Sequence, residues 1–267
     1  VDRYNFLKVL REGNPPAKLY CVGDDWQSIY RFSGSDMALF NQFPEYFGAT
    51  EINKIETTYR FGEPLVSLSS YFIQRNKAQI QKDIHSFDSE MKTELEFYSY
   101  DRRDYCNMIG QLVASIPSDK SIFLLGRYSF DDYYLSFMYQ SIKEGNRFFY
   151  VIGGRKIEFL TIHKSKGLEY GTVIMPATDV EIDRPHKNGL EVSYINGEIG
   201  YSIFANGKQY SNSFYESKIE IREMMMEESR ILYVAMTRAI DNFIWFNNID
   251  AKGNNWGKML EEMSGEV

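Results

Sequence analysis

Cysteine, histidine and proline are scarce in this chain: 267 residues contain two, three and seven of them. Cys21 and Cys106 stand far apart, with neither a C-x-x-C spacing nor a histidine cluster around them. That argues against a structural zinc and for a reducing compartment. No apolar run reaches about 18 residues, so no membrane span is expected. The stretch VDRYNFLKVLREGN carries Asp2, Arg3 and Lys8 where a signal peptide needs an apolar segment. These absences together read as a cytoplasmic chain. An excess of basic residues is missing too. Net charge is −7, so a nucleic-acid partner would have to meet a local basic groove on an acidic body. Finally, no G-x-x-x-x-G-K-[ST] is present. The NGKQ at 206–209 lacks the earlier glycine and has Gln209 where Ser or Thr is required.

Apolar and aromatic residues, by contrast, are plentiful. Hydrophobic residues make up 43% and aromatics 16%, with 20 Tyr and 19 Phe, enough to bury a sizeable core. A minority of those rings in loops would suit stacking on bases. Phe6, Val9 and Leu10 have helical spacing, stopped at Gly13, and KLYCV (18–22) reads as a buried strand tip. A capped helix is expected at MALFNQF, and another at 62–74, where Leu65, Leu68 and Phe72 recur on one side. SIFLLG (121–126), IEFLTI (157–162), TVIM (172–175) and NFIWF (242–246) read as strands, and DDYYLSFMYQSIKEG as a helix ending at Gly145. Alternating strands and helices indicate an α/β chain with a largely parallel sheet. The Asn-, Gly- and Tyr-rich stretch 179–217 suggests a β-hairpin insertion.

Four constellations could carry chemistry. VGDDWQSIYRF (22–32) joins an acidic pair to a glutamine and three aromatics. It reads either as a polymerase-type metal pair or as a loop with solvated aspartates and core rings, and the helix expected after it disfavours the first. TTYRFGE (57–63) offers Tyr59 for stacking and the fixed fork of Arg60 for phosphate oxygens, or else a surface ion pair. LTIHKSKGLEY (160–170) runs from a strand into a loop whose lysines and His163 could meet phosphates, whose Gly167 permits close approach, and whose Glu169 could accept from a hydroxyl; a solvated basic loop is the alternative. In EESRILYVAMTRAI (227–240), Met225, Ser229, Leu232, Met236 and Ala239 fall on one helical face. Arg230, Thr237 and Arg238 fall on the other, with the arginines about 12 Å apart along the axis or paired with acidic neighbours.

Order and wording together are more specific than any one of these. The sequence resembles the C-terminal half of superfamily-1 DNA helicases of the UvrD/Rep type: VGDDWQSIYRFSG looks like motif III, TYRF like motif IV, LTIHKSKGLEY like motif V and EESRILYVAMTRA like motif VI. The resemblance implies a RecA-like motor domain of P-loop NTPase type, ATP and Mg2+ as cofactors, and single-stranded DNA and duplex junctions as partners, with 3′→5′ movement and a setting in DNA repair. On the nucleotide side it implies Gln27 as γ-phosphate sensor, Tyr59 against adenine, Arg60 and Arg238 as arginine fingers, Gly167 near the nucleotide and Glu169 on the ribose. On the DNA side it implies Tyr30, Phe32, Thr161 and His163, with Arg127 as a phosphate contact.

The sequence also departs from the family. It has YRFSGS where many members have YGWRGA, so Phe32 replaces Trp and Ser33 replaces Arg. Only about four residues separate FYVIGG (149–154) from motif V, where larger members insert a helical subdomain. Neither Walker motif is present, so the Mg2+ ligands are expected in a missing N-terminal part and the chain is expected to be inactive alone. The organisation expected is a tail of the first motor domain (1–50), a second motor domain (51–250) carrying the 179–217 insertion, and a C-terminal tail (251–267). The alternative is a non-catalytic, helicase-derived module that binds DNA or a protein.

Overall fold

Strand-forming runs of Val, Ile, Leu and Phe build the centre of the molecule. The computed structural model describes residues 2–33, 35, 37–101, 104–179, 181–182, 189–195, 198–215, 217–251 and 253–264. Its eight-stranded sheet runs, edge to edge, through Glu63–Pro64, Lys92–Tyr100, Ala239–Asn248, Tyr170–Met175, Ile122–Gly126, Arg155–Thr161, Arg147–Ile152 and Gln140–Glu144. Pairing is parallel from the first edge as far as Arg155–Thr161, and the last two pairings are antiparallel. The chain has an α/β architecture with a mixed, mostly parallel sheet.

Both faces of this sheet are covered, which is why its central strands are apolar without alternation. Phe243 and Trp245 enter the core on one face, while Ile244 and Phe246 enter the core on the other. Val173 and Met175 divide from Ile174 in the same way. The first face is covered by helices Leu65–Gln74, Ser217–Met236 and Trp256–Ser264, the second by Tyr105–Ser115. Leu65, Leu68 and Phe72 are all buried, as their spacing predicts.

Elsewhere the structure departs from the sequence reading. DDYYLSFMYQSIKEG is not one helix: only Leu135–Met138 is helical, and Gln140–Glu144 forms a hairpin with Arg147–Ile152 through Gly145, whose φ is +59°. Residues 18–22 form no strand, and Tyr20 and Val22 are exposed. The first helix, Asp2–Gly13, exposes Phe6, Val9 and Leu10. The helix expected at MALFNQF is broken into Ala38–Asn41 and Phe43–Phe47, since Pro44 can start a helix but not continue one.

Gly189–Ile195, Glu198–Ala205 and Lys208–Ser211 form a separate antiparallel meander. The Asn206-Gly207 pair, with φ of +52° and +75°, makes its second turn. Asn and Gly are the residues that tolerate such angles in a two-residue hairpin loop. The NGKQ that fails as a phosphate loop is therefore a hairpin turn.

Candidate functional site

The acidic pair of the Gly23–Phe32 segment acts as an anchor. Asp24 Oδ1 accepts from the Trp26 amide at 3.1 Å and opens a short 3-10 turn, Asp25–Gln27. Lys82 sits between the two carboxylates, its Nζ 2.8 Å from Asp24 Oδ1 and 2.9 Å from Asp25 Oδ1. Burial works against the charge of Lys82, but the aspartates outweigh it and its pKa is raised. Asp25 Oδ2 also accepts the Ile80 amide at 2.7 Å, and the Trp26 indole donates to the Ile80 carbonyl at 2.9 Å. These bonds fasten the loop to the 80–82 segment. Among the described residues no group of three or more His, Cys, Asp or Glu is arranged to hold a metal.

Beyond the pair, the same segment is clasped by the loop at 161–169 and by helix Ser217–Met236. Gln27 Nε2 donates to Asp24 Oδ2 at 2.6 Å, and the Gln27 carbonyl accepts from Lys166 Nζ at 2.8 Å. The Tyr30 hydroxyl donates to the His163 carbonyl at 3.1 Å, and His163 Nε2 donates back to the Ile29 carbonyl at 3.0 Å. Their rings lie 5.8 Å apart, and Lys166 Nζ stands 5.1 Å from the centre of the Tyr30 ring. Burial, with help from Arg127, lowers the pKa of His163. Arg230 Nε donates to the Ser28 carbonyl at 2.7 Å, and Glu227 accepts from the Arg31 amide at 3.1 Å. Thr161 ends the strand Arg155–Thr161 and precedes the helical turn Ile162–Ser165. The side chain of Phe32 lies outside the described residues.

A second cluster forms at the N-terminal ends of Tyr170–Met175 and Ala239–Asn248. Arg60 Nε donates to Glu169 Oε2 at 3.0 Å and Arg60 NH1 to the Thr237 carbonyl at 3.1 Å. Arg238 follows the end of helix Ser217–Met236 and is 1% exposed. It donates to the carbonyls of Val234 and Leu168 and to Thr237 Oγ1, at 2.9, 3.0 and 3.1 Å. Burial first, then the charge of Arg60, push its pKa down to about 10. Lys166 joins this group. Burial lowers its pKa, with Arg238 acting in the same direction and Asp24 against them. Gly167, at φ +85°, has nothing within 4 Å of the position a Cβ would take. Tyr59 is 68% exposed and its ring stacks on Phe87 at 4.5 Å. The parallel pairing of Thr57–Thr58 with His85–Ser86 brings the two rings together.

Seven of the residues singled out from the sequence thus fall into two neighbouring groups. Gln27, Tyr30 and His163 belong to the clasp, while Arg60, Gly167, Glu169 and Arg238 belong to the arginine cluster. Tyr59 borders the cluster through its neighbour Arg60. Arg127 is committed elsewhere: it holds Glu228 through a two-pronged ion pair at 2.7–3.1 Å that outweighs the burial of its own charge. The helical-face reading of 227–240 needs correction. Arg230, Thr237 and Arg238 are buried, whereas Met225, assigned to the buried face, is 37% exposed. This part of the helix is enclosed on all sides, so polarity did not mark a solvent face. Lys82, Phe87 and Glu228 were missed, and nothing in their local sequence distinguishes them from surface residues.

The arrangement suits a nucleotide at its phosphate and base ends. Three cations (Arg60, Lys166 and Arg238) stand around Gly167, with an exposed, backed ring beside them. Residues 136–246 match the UvrD-like helicase C-terminal domain and residues 2–48 the UvrD/REP helicase N-terminal domain. DNA helicase IV of Escherichia coli (strain K12) is 29% identical over 238 residues, covering 89% of this chain and 31% of that protein. A polypeptide of the ATP-dependent helicase/nuclease of Oceanobacillus iheyensis is 28% identical over 117 residues, covering 40% of this chain and 9% of that protein. The chain therefore spans about a third of the first relative and a small part of the second.

Proposed function

Because the chain belongs to the UvrD-like helicase family, we propose that it forms the C-terminal part of an ATP-dependent DNA helicase that moves 3′→5′ along single-stranded DNA towards duplex junctions. The observation that carries this reading is the packing of Arg60 and Arg238 around Thr237, with Arg238 buried and the charge of Arg60 adding to the cost of its own. An anion relieves such a pair, and a phosphoryl group is an anion whose charge is redistributed during transfer.

ATP, when bound there, supplies the anhydride whose hydrolysis drives movement. Tyr59, held by Phe87, offers a face for the base, Glu169 an acceptor for a ribose hydroxyl, and Gly167 room for close approach. Gln27 senses the terminal phosphate, and Arg60 and Arg238 stabilise its charge, an effect worth ~10³–10⁵ in rate for an arginine finger. Arg238 can do so only by leaving the Leu168 and Val234 carbonyls, which ties hydrolysis to a conformational step. Tyr30, Phe32, Thr161 and His163 serve as DNA contacts, and Arg127, held by Glu228, serves a DNA phosphate. Mg2+ would be held by Walker-type residues, which these 267 residues do not contain, and on this reading the chain alone turns over no ATP. The organisation follows the motifs: residues 1–50 complete a first motor domain, 51–250 form the second with the meander inserted at 179–217, and 251–267 form a tail. On this reading the protein works in the cytoplasm.

The deciding experiment is ATP hydrolysis by the longer, P-loop-containing protein, with and without single-stranded DNA. DNA-stimulated turnover that falls at least about a thousandfold in Arg238→Ala supports the motor and this finger. DNA binding without turnover in the unmutated protein replaces the motor with a non-catalytic DNA-binding module.

A further inference from the structure

A further group of side chains gathers beyond the C-terminal ends of Lys92–Tyr100, Ile122–Gly126 and Tyr170–Met175. A cavity of about 140 Å³ there is walled by the rings of Tyr100, Tyr105, Phe130, Tyr133 and Tyr134. Asp131 and Asp179 also line it. A third oxygen is the Tyr105 hydroxyl. Tyr105 is 1% exposed, its hydroxyl has no hydrogen-bond partner among the described residues, and both carboxylates act on it. The Arg127 amide and the charge of Arg127 act on Asp131. Asp131 Oδ2 accepts the Tyr128 amide at 2.9 Å, and Asp179 Oδ2 lies 3.4 Å from Asn248 Nδ2. None of these residues has a part in the nucleotide or DNA reading of the motifs.

Two carboxylates lining an aromatic-walled space, with the buried, unpartnered Tyr105 hydroxyl beside it, call for a ligand rich in N–H donors, positively charged and flat. A cavity of about 150 Å³ admits a group the size of benzene, so the space matches one planar group rather than an extended ligand. An ammonium has the charge but no plane to lay on the rings. A nucleobase has the plane but no charge, and its phosphates would meet Asp131 and Asp179. A guanidinium has both: a delocalised cation with five donors in a fixed fork that stacks on aromatic faces. We propose that this cavity binds a guanidinium group, such as an arginine side chain presented by a partner polypeptide, between its tyrosine rings and against Asp131, Asp179 and the Tyr105 hydroxyl. Its position at the carboxyl ends of parallel strands is where open α/β sheets hold ligands.

The test is titration of the isotopically labelled 267-residue chain with methylguanidinium, N-acetyl-arginine amide, N-acetyl-lysine amide and cytidine, following the amide NMR signals of Asp131, Tyr133, Ala177 and Asp179. Saturable shifts confined to these signals are expected with both guanidinium probes, weaker ones with the lysine probe and none with cytidine. Tighter binding of the arginine amide than of methylguanidinium identifies a polypeptide as the source, and equal binding a small guanidino compound. Asp179→Asn and Asp131→Asn should each weaken the guanidinium probes about tenfold, the loss expected for one charge-assisted hydrogen bond. Tyr105→Phe, which removes only one oxygen, should weaken them by a smaller factor. Absence of shifts with the guanidinium probes, equal affinity in both Asn variants and the unmutated chain, or preferential binding of cytidine overturns the proposal.

Discussion

Asp131 keeps its carboxyl among aromatic rings. Burial, with Asp179 adding to it, lifts the pKa from 3.8 to about 6 against the amides of Tyr128 and Arg127 and the charge of Arg127. The folded carboxyl therefore holds its proton to higher pH than the unfolded one. The stability it contributes is present below about 4 and lost as pH rises through about 6. Asp131→Asn removes the ionisation while keeping an oxygen for the Tyr128 amide. Thermal unfolding should find the variant more stable by about 1–3 kcal/mol at pH 7.5, with the gain shrinking as pH falls towards 4. A gain that does not depend on pH would remove the charge as its cause. The Arg127–Glu228 pair has the opposite character, with side chains only 14% and 7% exposed. Glu228→Ala strands a buried guanidinium and should cost about 3–5 kcal/mol in denaturant unfolding; a loss under about 1 kcal/mol would mean that the pair is solvated in solution. The sequence shows Arg127 after a strand but cannot show that residue 228 reaches it, so its part in positioning emerges only from the fold.

At the scale of elements, what was legible depended on whether one period dominated. The strands at 122–126, 157–161, 172–175 and 242–246 were readable because short apolar runs between polar turns have few alternatives. The stretch 131–145 was not, because its tyrosines, phenylalanine and methionine fit a helical face and a half-buried strand equally well. The turn at Gly145 and Asn146 and the partner Arg147–Ile152 decided the matter, and both act from outside the run. The meander shows register exposing what composition hid. Its pairings put Leu190, Val192, Ile199, Tyr201, Ile203 and Tyr210 on one face, each 42–62% exposed. Such a face promotes association between copies. The double substitution Val192→Thr and Ile203→Thr should change stability by no more than about 0.5 kcal/mol while lowering self-association in sedimentation. A large fall in melting temperature would show instead that the face is packed in solution.

At the scale of the whole molecule, the motifs at 160–170 and 227–240 lie far from residues 24–31 in the chain yet pack on them, while Arg60 reaches Glu169 and Thr237 in the neighbouring cluster, and Lys166 links the two groups. It donates to the Gln27 carbonyl, stands over the Tyr30 ring and shares its electrostatic environment with Arg238. Gln27 and Arg238 are on the proposed nucleotide side and Tyr30 on the proposed DNA side, so one lysine contacts both. A change in the strand at Tyr30 and His163 would therefore reach the phosphate-facing groups through a single charge-assisted hydrogen bond. Lys166→Met keeps most of the stem and removes that bond. In the longer, P-loop-containing protein the ratio of DNA-stimulated to DNA-free ATP turnover should drop about tenfold, the equivalent of one such bond. Arg60→Ala should instead lower both rates together, because a finger acts on hydrolysis whether or not DNA is present. If Lys166→Met also lowers both rates in proportion, Lys166 is a nucleotide contact like Arg60, and coupling must run instead through the Tyr30–His163 and His163–Ile29 bonds.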